Sequence, residues 1–314
     1  MATNTTATLS TALQTYYDRR LLEIAKTTFV YANFGQRRPI PRNSGKTINW
    51  RRYNLFTPST TTQKLTEGTT PTGQTLSQTT VTATLEQYGA YVEISDLLDL
   101  TAIDPVIRDS VELLGEQLGT VVEWLTRDAM LETTSIQRVG NGAADTNITA
   151  SNVLTIAEIQ KAVRTLKTNK ARRFTNGRSP HFVCIVDPAV AMDIQKDADW
   201  KAVRNYQDAE AIYSGELGRM YGVVFVESTE GYVNSNGASA AVDLHHSLIF
   251  GADAYGVADI DGSAAIRSII KPVGSAGTAD PLDQRSTVGA KVMAYAAKVL
   301  NPNWIIDIRS AASA

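Results

Sequence analysis

The chain has 314 residues, enough for one large domain or two smaller ones with buried apolar cores. Hydrophobic residues make up 43% of it and charged residues 20%, which is typical of a globular protein. The net charge of −2 excludes a protein that is drawn to nucleic acid or to anionic membranes by its overall charge. The single cysteine, Cys184, excludes an internal disulfide framework, and its apolar neighbours predict a buried thiol.

No targeting or membrane-spanning segment is predicted. Residues 1–10 lack the basic and apolar regions of a signal peptide. No stretch of the chain approaches the ~20 apolar residues that a membrane span needs. We therefore expect a protein that is made in the cytosol, has no membrane partner, and stays soluble unless it assembles.

The first 94 residues predict an arm followed by an extended flap. Apolar residues recur at helical spacing over residues 9–34, which predicts an amphipathic N-terminal arm. Residues 46–56 have the pattern of a strand, and residues 57–85 then hold thirteen threonines with Lys64 and Glu67 as their only charges. Threonine favours extended backbone, yet this segment has few apolar side chains for a core of its own. We predict a two-stranded flap with its tip at residues 68–73, a second strand from Val81 to Ile94, and order that depends on another chain.

A long helix follows the flap. Asp104 and Pro105 provide an N-cap and a first-turn proline, and the pattern continues to about Glu132, or roughly 40 Å at 1.5 Å per residue. The apolar stripe predicted to be buried consists of Ile107, Val111, Leu114, Leu118, Val121, Leu125 and Ala129. The side predicted to face solvent carries Arg108, Asp109, Glu112, Glu116 and Glu123.

The rest of the chain alternates between helices and strands, which predicts the α+β class with one domain interrupted by another. Helices are predicted over residues 156–166, 189–196 (capped by Asp187-Pro188) and 209–220. Strands are predicted over residues 182–186, 223–226, 248–250, 266–271, 288–300 (interrupted by Gly289) and 304–308.

A search of the sequence for reactive groups predicts no catalytic, cofactor-binding or metal site. Ser44 to Thr47 resembles the end of a phosphate-binding loop, but Ile40 stands where that motif needs glycine. His245 and His246 are adjacent on a predicted strand and face opposite sides, so they are poor joint metal ligands even with Asp243 nearby. An enzyme whose site leaves no sequence signal stays open as an alternative.

Six basic residues occur together without an acidic residue among them: Arg37, Arg38, Arg42, Lys46, Arg51 and Arg52. Three interpretations stay open, namely contact with a neighbouring subunit, a solvated face with local ion pairs, and contact with DNA. We favour subunit contact, and we add Lys64 and Glu67 of the flap as candidates for the same role. No series of aromatic residues accompanies the run, so stacking on single-stranded nucleic acid is not indicated.

Two local stretches, residues 215–228 and residues 280–289, the second followed by residues 295–301, resemble the podovirus-type branch of the tailed-phage major capsid proteins. The order of elements also resembles that family over essentially the whole chain. The resemblance implies an N-terminal arm (1–44), an extended β loop (45–85), a peripheral domain with a spine helix (86–153), an axial domain (154–264) and a return to the peripheral domain (265–314).

The resemblance also implies a function. The chain would be a non-enzymatic virion protein, made in the host cytoplasm, that forms hexamers and pentamers of an icosahedral shell around double-stranded DNA without sequence-specific binding. Only about forty residues precede the flap, so a separate scaffolding protein is implied, together with a portal and a possible decoration protein. An encapsulin-like compartment shell, which encloses enzymes instead of DNA, is the alternative. Cross-linking of subunits through Lys64 lacks an identifiable partner.

Overall fold

The computed structural model describes residues 29–41, 43–54, 56–61, 63–101, 106–175, 179–198, 200, 216–235, 242–259, 266–275 and 280–313. The arm predicted for residues 9–34 and the helix cap at Asp104-Pro105 therefore lie largely outside the described residues. Within them, the α-helices are α1 (Asp96–Thr101), α2 (Val106–Leu131), α3 (Ile156–Thr168) and α4 (Pro188–Lys196). None of these helices is long and apolar enough to cross a membrane.

Fourteen strands occur in the described residues, and they confirm the predicted α+β class. They are β1 (Gln36–Arg37), β2 (Thr47–Tyr53), β3 (Gln78–Thr84), β4 (Glu86–Ser95), β5 (Ile136–Arg138), β6 (Phe182–Val186), β7 (Glu216–Met220), β8 (Val223–Glu227), β9 (Val233–Asn234), β10 (Leu244–Phe250), β11 (Tyr255–Asp259), β12 (Ile266–Lys271), β13 (Arg285–Val299) and β14 (Ile305–Ser310).

A five-stranded sheet carries the long helix α2. Strand β13 lies at its centre and pairs with β4, β11 and β12, all antiparallel, while β1 pairs with β11 in parallel. Alternate residues of β13 are buried, among them Val288, Ala290 and Val292, and they form one core with Val111 and Leu118 of α2. These alternate residues of β13 are apolar, and α2 has an apolar stripe at helical spacing. The two elements pack together through these faces.

A seven-stranded sheet, ordered β5-β14-β10-β6-β8-β7 with β9 also on β10, forms the second layer. Both faces of β6 are covered, since Phe182, Cys184 and Val186 pack into the core under α3 and α4, and Val183 and Ile185 into the core under α2. Burial on both faces explains the uninterrupted apolar run of this strand. Cys184 is buried as predicted, and burial raises the pKa of its thiol to about 12.

Of the local signals at helix and strand ends, one cap is confirmed and two predicted elements are wrong in part. Asp187 caps α4 as predicted, accepting a hydrogen bond from the Ala189 amide at 3.2 Å. The helix predicted over residues 209–220 is wrong for Glu216–Met220, which form strand β7 because they pair with β8; residues 209–215 lie outside the described part. The predicted interruption at Gly289 is also wrong, since β13 runs through it between paired Ile269 and Tyr91.

The phase of α2 departs from the prediction in its second half. Leu114 and Leu118 are buried as predicted, but the buried side then shifts to Val122 and Met130, and it includes Glu123, which was predicted to face solvent. Both carboxylate oxygens of Glu123 accept backbone N–H groups, from Tyr31 at 2.7 Å and from Ala32 at 3.2 Å. Burial raises the pKa of this carboxyl, although these hydrogen bonds oppose the rise. Glu123 therefore fastens the start of the described chain to α2.

The chain passes between the two sheets several times. Strand β10 lies in the seven-stranded sheet, β11 to β13 in the five-stranded sheet, and β14 again in the seven-stranded sheet, where it also pairs with β5. Strands on both sides of the predicted domain boundaries at 154 and 264 thus share a sheet. The division into peripheral and axial domains remains a proposal.

Candidate inter-subunit surfaces

Strands β2 and β3 and the loop 54–77 between them form the predicted flap. The two strands are antiparallel, with Thr47 opposite Thr84 and Tyr53 opposite Gln78, and they form a separate two-stranded sheet. The second strand is not continuous to Ile94 as predicted, because β3 ends at Thr84 and β4 then joins the five-stranded sheet. The break marks where the flap ends and the five-stranded sheet begins.

The base of the flap is anchored by one face of β2. Ile48 and Trp50 are buried with Ala83, Leu85 and residues of β11 and β13. The indole of Trp50 lies directly on Gly256, where a Cβ would come within 2.7 Å of Cε2 of the indole. Glycine is required at this close approach, since any side chain would displace the indole.

The described residues in the outer part of the flap are almost all exposed. Its large apolar side chains are exposed, with Phe56 at 49%, Leu65 at 72% and Leu76 at 71%. Lys64 and Glu67 are exposed in the same loop. A long loop with exposed leucines and little charge is expected to find its packing partners on another chain.

The structure divides the predicted basic surface into separate parts. Arg38 and Arg51 line one open groove of about 520 Å³ beside Asn49, whose carbonyl oxygen accepts a hydrogen bond from Arg38 at 3.0 Å. Arg52 points to the opposite face of β2 and donates to the carbonyl oxygen of Leu300 at 3.4 Å. Arg37 lies on β1 and contacts Asn33, Lys46 is exposed before β2, and Arg42 lies outside the described residues. The run of basic residues in the sequence suggested one surface. Neighbouring residues of a strand face opposite sides, so the structure divides the run.

The opposite placement of Arg51 and Arg52 gives a paired prediction. Arg51→Glu should leave the melting temperature unchanged but slow assembly roughly five-fold at low salt, because an exposed charge acts mainly through partner contacts. The defect should shrink as salt rises, since exposed charges are screened over about 8 to 10 Å near physiological ionic strength. Arg52→Glu is the matched control and should instead lower the melting temperature. Light scattering during assembly measures the first effect, and unchanged kinetics for Arg51→Glu would assign Arg51 to a solvated face.

A further exposed apolar surface was not predicted. On α1, Leu97, Leu98 and Leu100 are 67%, 47% and 83% exposed, and Leu113 on α2 is 67% exposed. The sequence did contain a signal for this surface. The leucines of α1 do not form a single apolar stripe of the kind that a helix buries against a core. Exposed leucines that are as close together as the three on α1 are typical of protein interaction surfaces.

The histidines have structural partners. His246 Nδ1 lies 3.0 Å from both carboxylate oxygens of Asp307, which also accepts a hydrogen bond from Arg309 at 2.8 Å. His245, on the other face of β10 as predicted, lies 3.2 Å from Asp187. Among the described residues, no group of three or more His, Cys, Asp or Glu side chains is arranged to hold a metal ion.

The network around Arg309 continues to Asp145, which binds Arg309 at 2.5 Å and Arg138 at 2.6 Å. Burial acts to raise the pKa of the Asp145 carboxyl, but the two guanidinium groups outweigh it and the pKa is lowered. The network joins β14 to β5 and the turn after it, so it has a structural role.

The fold of this chain is similar to the folds of several solved structures. The capsid of Ralstonia phage GP4 has a TM-score of 0.70 at 13% identity, over 90% of this chain and 88% of that chain. The cyanophage Pam1 capsid has a TM-score of 0.67 at 14% identity, over 87% and 86%. A virus-like particle from Pyrococcus furiosus has a TM-score of 0.53 at 10% identity, over 94% and 99%. At these identities the similarity shows the fold.

No curated protein sequence matches the chain. The family model for phage capsid protein, however, matches residues 78–308, from the second flap strand to the last strand of the seven-stranded sheet. The match includes the seven-stranded sheet, all of the five-stranded sheet except β1, the long helix and both stretches that carried the sequence resemblance. Since it spans well over half of the sequence, this chain belongs to the phage capsid protein family.

Proposed function

We propose that this protein is the major capsid protein that builds an icosahedral shell around double-stranded phage DNA. Family membership implies a structural role, and the flap is the observation that carries the proposal. Its loop extends from a well-anchored base, exposes Leu65 and Leu76, and has few charges. Such a segment gains packing partners only when it lies across an adjacent subunit.

The other subunit-contact candidates fit this arrangement. Arg38 and Arg51 line an open groove at the base of the flap, and Lys64 and Glu67 lie in its loop. The exposed leucines of α1 and the exposed Leu113 of α2 offer an apolar surface for a neighbour. We infer that these surfaces contact each other in hexamers and pentamers, with the arm, extended loop, peripheral and axial domains divided as the sequence resemblance implies.

The proposed partners follow from the same role. A separate scaffolding protein would guide assembly, a portal would occupy one vertex, and a decoration protein is a possible further partner. The DNA would be enclosed without sequence-specific binding, and the subunit would be made in the host cytoplasm before it joins the virion. An encapsulin-like compartment has less support, since the family model that matches residues 78–308 is that of a phage capsid protein.

Assembly tests the proposal directly. Purified protein supplied with its scaffolding partner should give closed shells or capsomer-sized oligomers in size-exclusion chromatography and electron microscopy. Co-purified nucleic acid would support the phage shell, and co-purified enzyme would support the compartment. A subunit that stays monomeric across salt, pH and scaffold concentrations would refute both.

A further inference from the structure

A strongly basic stretch lies in the middle of the chain. Between Glu158 and Asp187 there is no acidic residue, although the whole protein has a net charge of −2. The same stretch contains seven basic residues: Lys161, Arg164, Lys167, Lys170, Arg172, Arg173 and Arg178. Such a local excess of positive charge sets up a surface potential that the net charge of the chain conceals.

The structure collects part of this charge on the exposed side of α3. Ile159, Val163 and Leu166 pack against the seven-stranded sheet, which turns Arg164 and Lys167 to solvent. The turn between β7 and β8 brings an aromatic residue beside them. Together these elements line an open groove of about 500 Å³ whose residues are Gln160, Val163, Arg164, Lys167, Thr168 and Tyr221.

Several of the basic residues already have partners within the subunit. Lys161 pairs with Glu158 at 2.6 Å, Arg172 pairs with Asp253 at 3.4 Å, and the guanidinium of Arg173 lies 5.7 Å from the centre of the Phe182 ring. Arg164, Lys167 and Lys170 are exposed and make no ion pair with any residue that the structure describes. Their charge is therefore available to a partner.

Local stability does not account for this surface. The negative end of the helix dipole favours Lys167 and Lys170 near the end of α3, but it does not explain Arg164, which lies further from that end. Tyr221 has φ of +51° and the next residue, Gly222, has φ of +79°. Such turns favour Asn, Asp or Gly at both positions, so tyrosine is costly there, yet its side chain is half-exposed beside the groove.

We propose that this α3 surface, formed by Gln160, Arg164, Lys167, Thr168, Lys170 and Tyr221, faces the interior of the shell and contacts the sugar-phosphate backbone of the packaged duplex. The inference rests on the proposed function. Arg, Lys, Gln, Thr and Tyr are side chains that donate hydrogen bonds to phosphate oxygens, and such contacts need no base readout.

The composition of the groove favours a polyanion over a protein partner. The groove lining has two basic side chains, Arg164 and Lys167, and its apolar members are the buried Val163 and the half-exposed ring of Tyr221, which also carries a hydroxyl. The acidic side of α2, in contrast, is interspersed with exposed Leu113 and Trp124. Protein interfaces have an apolar centre, while contacts to DNA are polar and strongly positive. An acidic surface of a second copy or of another protein would therefore be a poorer match.

The first test measures binding of the full-length soluble subunit to a fluorescent DNA duplex by anisotropy across salt concentrations. Each phosphate contact contributes about −0.9 to the slope of the logarithm of the association constant against the logarithm of the salt concentration. The triple variant with Arg164→Gln, Lys167→Gln and Lys170→Gln should therefore flatten this slope by about 2.7. The matched control is Arg38→Gln, Lys46→Gln, Arg51→Gln, which removes the same charge from the flap base and should leave the slope unchanged. Circular dichroism melting verifies that each variant is folded.

The outcomes separate this inference from the proposed function. An equal flattening of the slope in both triple variants would mean that DNA binds through the overall charge of the subunit. An unchanged slope in the α3 variant together with impaired assembly would mean that this surface binds an acidic protein. Either result overturns the inference. Failure of the wild type to form shells would refute the proposed function while the difference in slopes still stands.

A second measurement tests the location in assembled shells. Lysine acetylation followed by mass spectrometry should label Lys167 and Lys170 several-fold less in DNA-filled shells than in empty ones. Lys46 provides the internal reference and should be labelled equally in both. Equal labelling of Lys167 and Lys170 in filled and empty shells would overturn the inference.

Discussion

Replacing residues 55–76 with an Asn-Gly turn should leave the subunit folded and abolish closed shells. The structure defines where the replacement closes in register. The Asn54 amide donates to the carbonyl oxygen of Ser77 at 2.9 Å, and these residues continue the pairing of Tyr53 with Gln78. A two-residue turn fits between such a hydrogen-bonded pair, and Asn-Gly is the preferred sequence for it.

The thermal stability of the deleted subunit should be equal to or higher than that of the wild type. The described residues of the removed loop are almost all exposed, and the deletion leaves intact the buried contacts of Ile48 and Trp50 at the flap base. Shortening a flexible loop of this length relieves about 2 kcal/mol of closure entropy. The loss of shells, in contrast, should be complete, because the exposed Leu65 and Leu76 would no longer reach a neighbouring subunit.

Circular dichroism melting and electron microscopy of the assembly reaction measure the two effects. A Gly/Ser loop of the original length is the control that separates loop length from side-chain contacts, and it should also fail to close shells. Normal shells from the Asn-Gly variant would show that the flap is not an inter-subunit clamp. Loss of folding would place the loop in the core.

The second large effect is expected for Leu118→Asp, which should remove most of the soluble protein. Leu118 is 3% exposed and lies where α2 packs on the five-stranded sheet with Val288 and Val292. The change leaves a cavity and buries an unpaired carboxylate, at a cost of roughly 4 kcal/mol or more. A typical domain is stable by only about 5–15 kcal/mol, so a cost of this size removes much of its free energy of unfolding.

Leu113→Asp is the matched control, because it makes the same chemical change at a side chain that is 67% exposed on the same helix. Its free energy of unfolding should change by no more than about 0.5 kcal/mol. Soluble yield and urea unfolding compare the two variants. Similar losses for both would mean that the buried face of α2 has been assigned incorrectly.

Much of the fold could be predicted because its signals are local. The apolar run of β6, the Asp187-Pro188 start of α4 and the threonine-rich flap were all recognisable within ten to thirty residues. Periodicity, capping residues and composition act over such short distances. The sequence by itself therefore determined the α+β class, the long helix, the flap and the resemblance to phage capsid proteins.

Tertiary structure alone decided the features that depend on distant residues. Glu123 is buried because backbone N–H groups some ninety residues earlier in the chain satisfy its carboxylate, and Glu216–Met220 form a strand because β8 offers them an edge. Arg51 and Arg52 belong to different surfaces because the base of the flap packs on one face of β2 alone. The energies of these contacts come from groups that meet only after the chain folds, so no short window of sequence contains them.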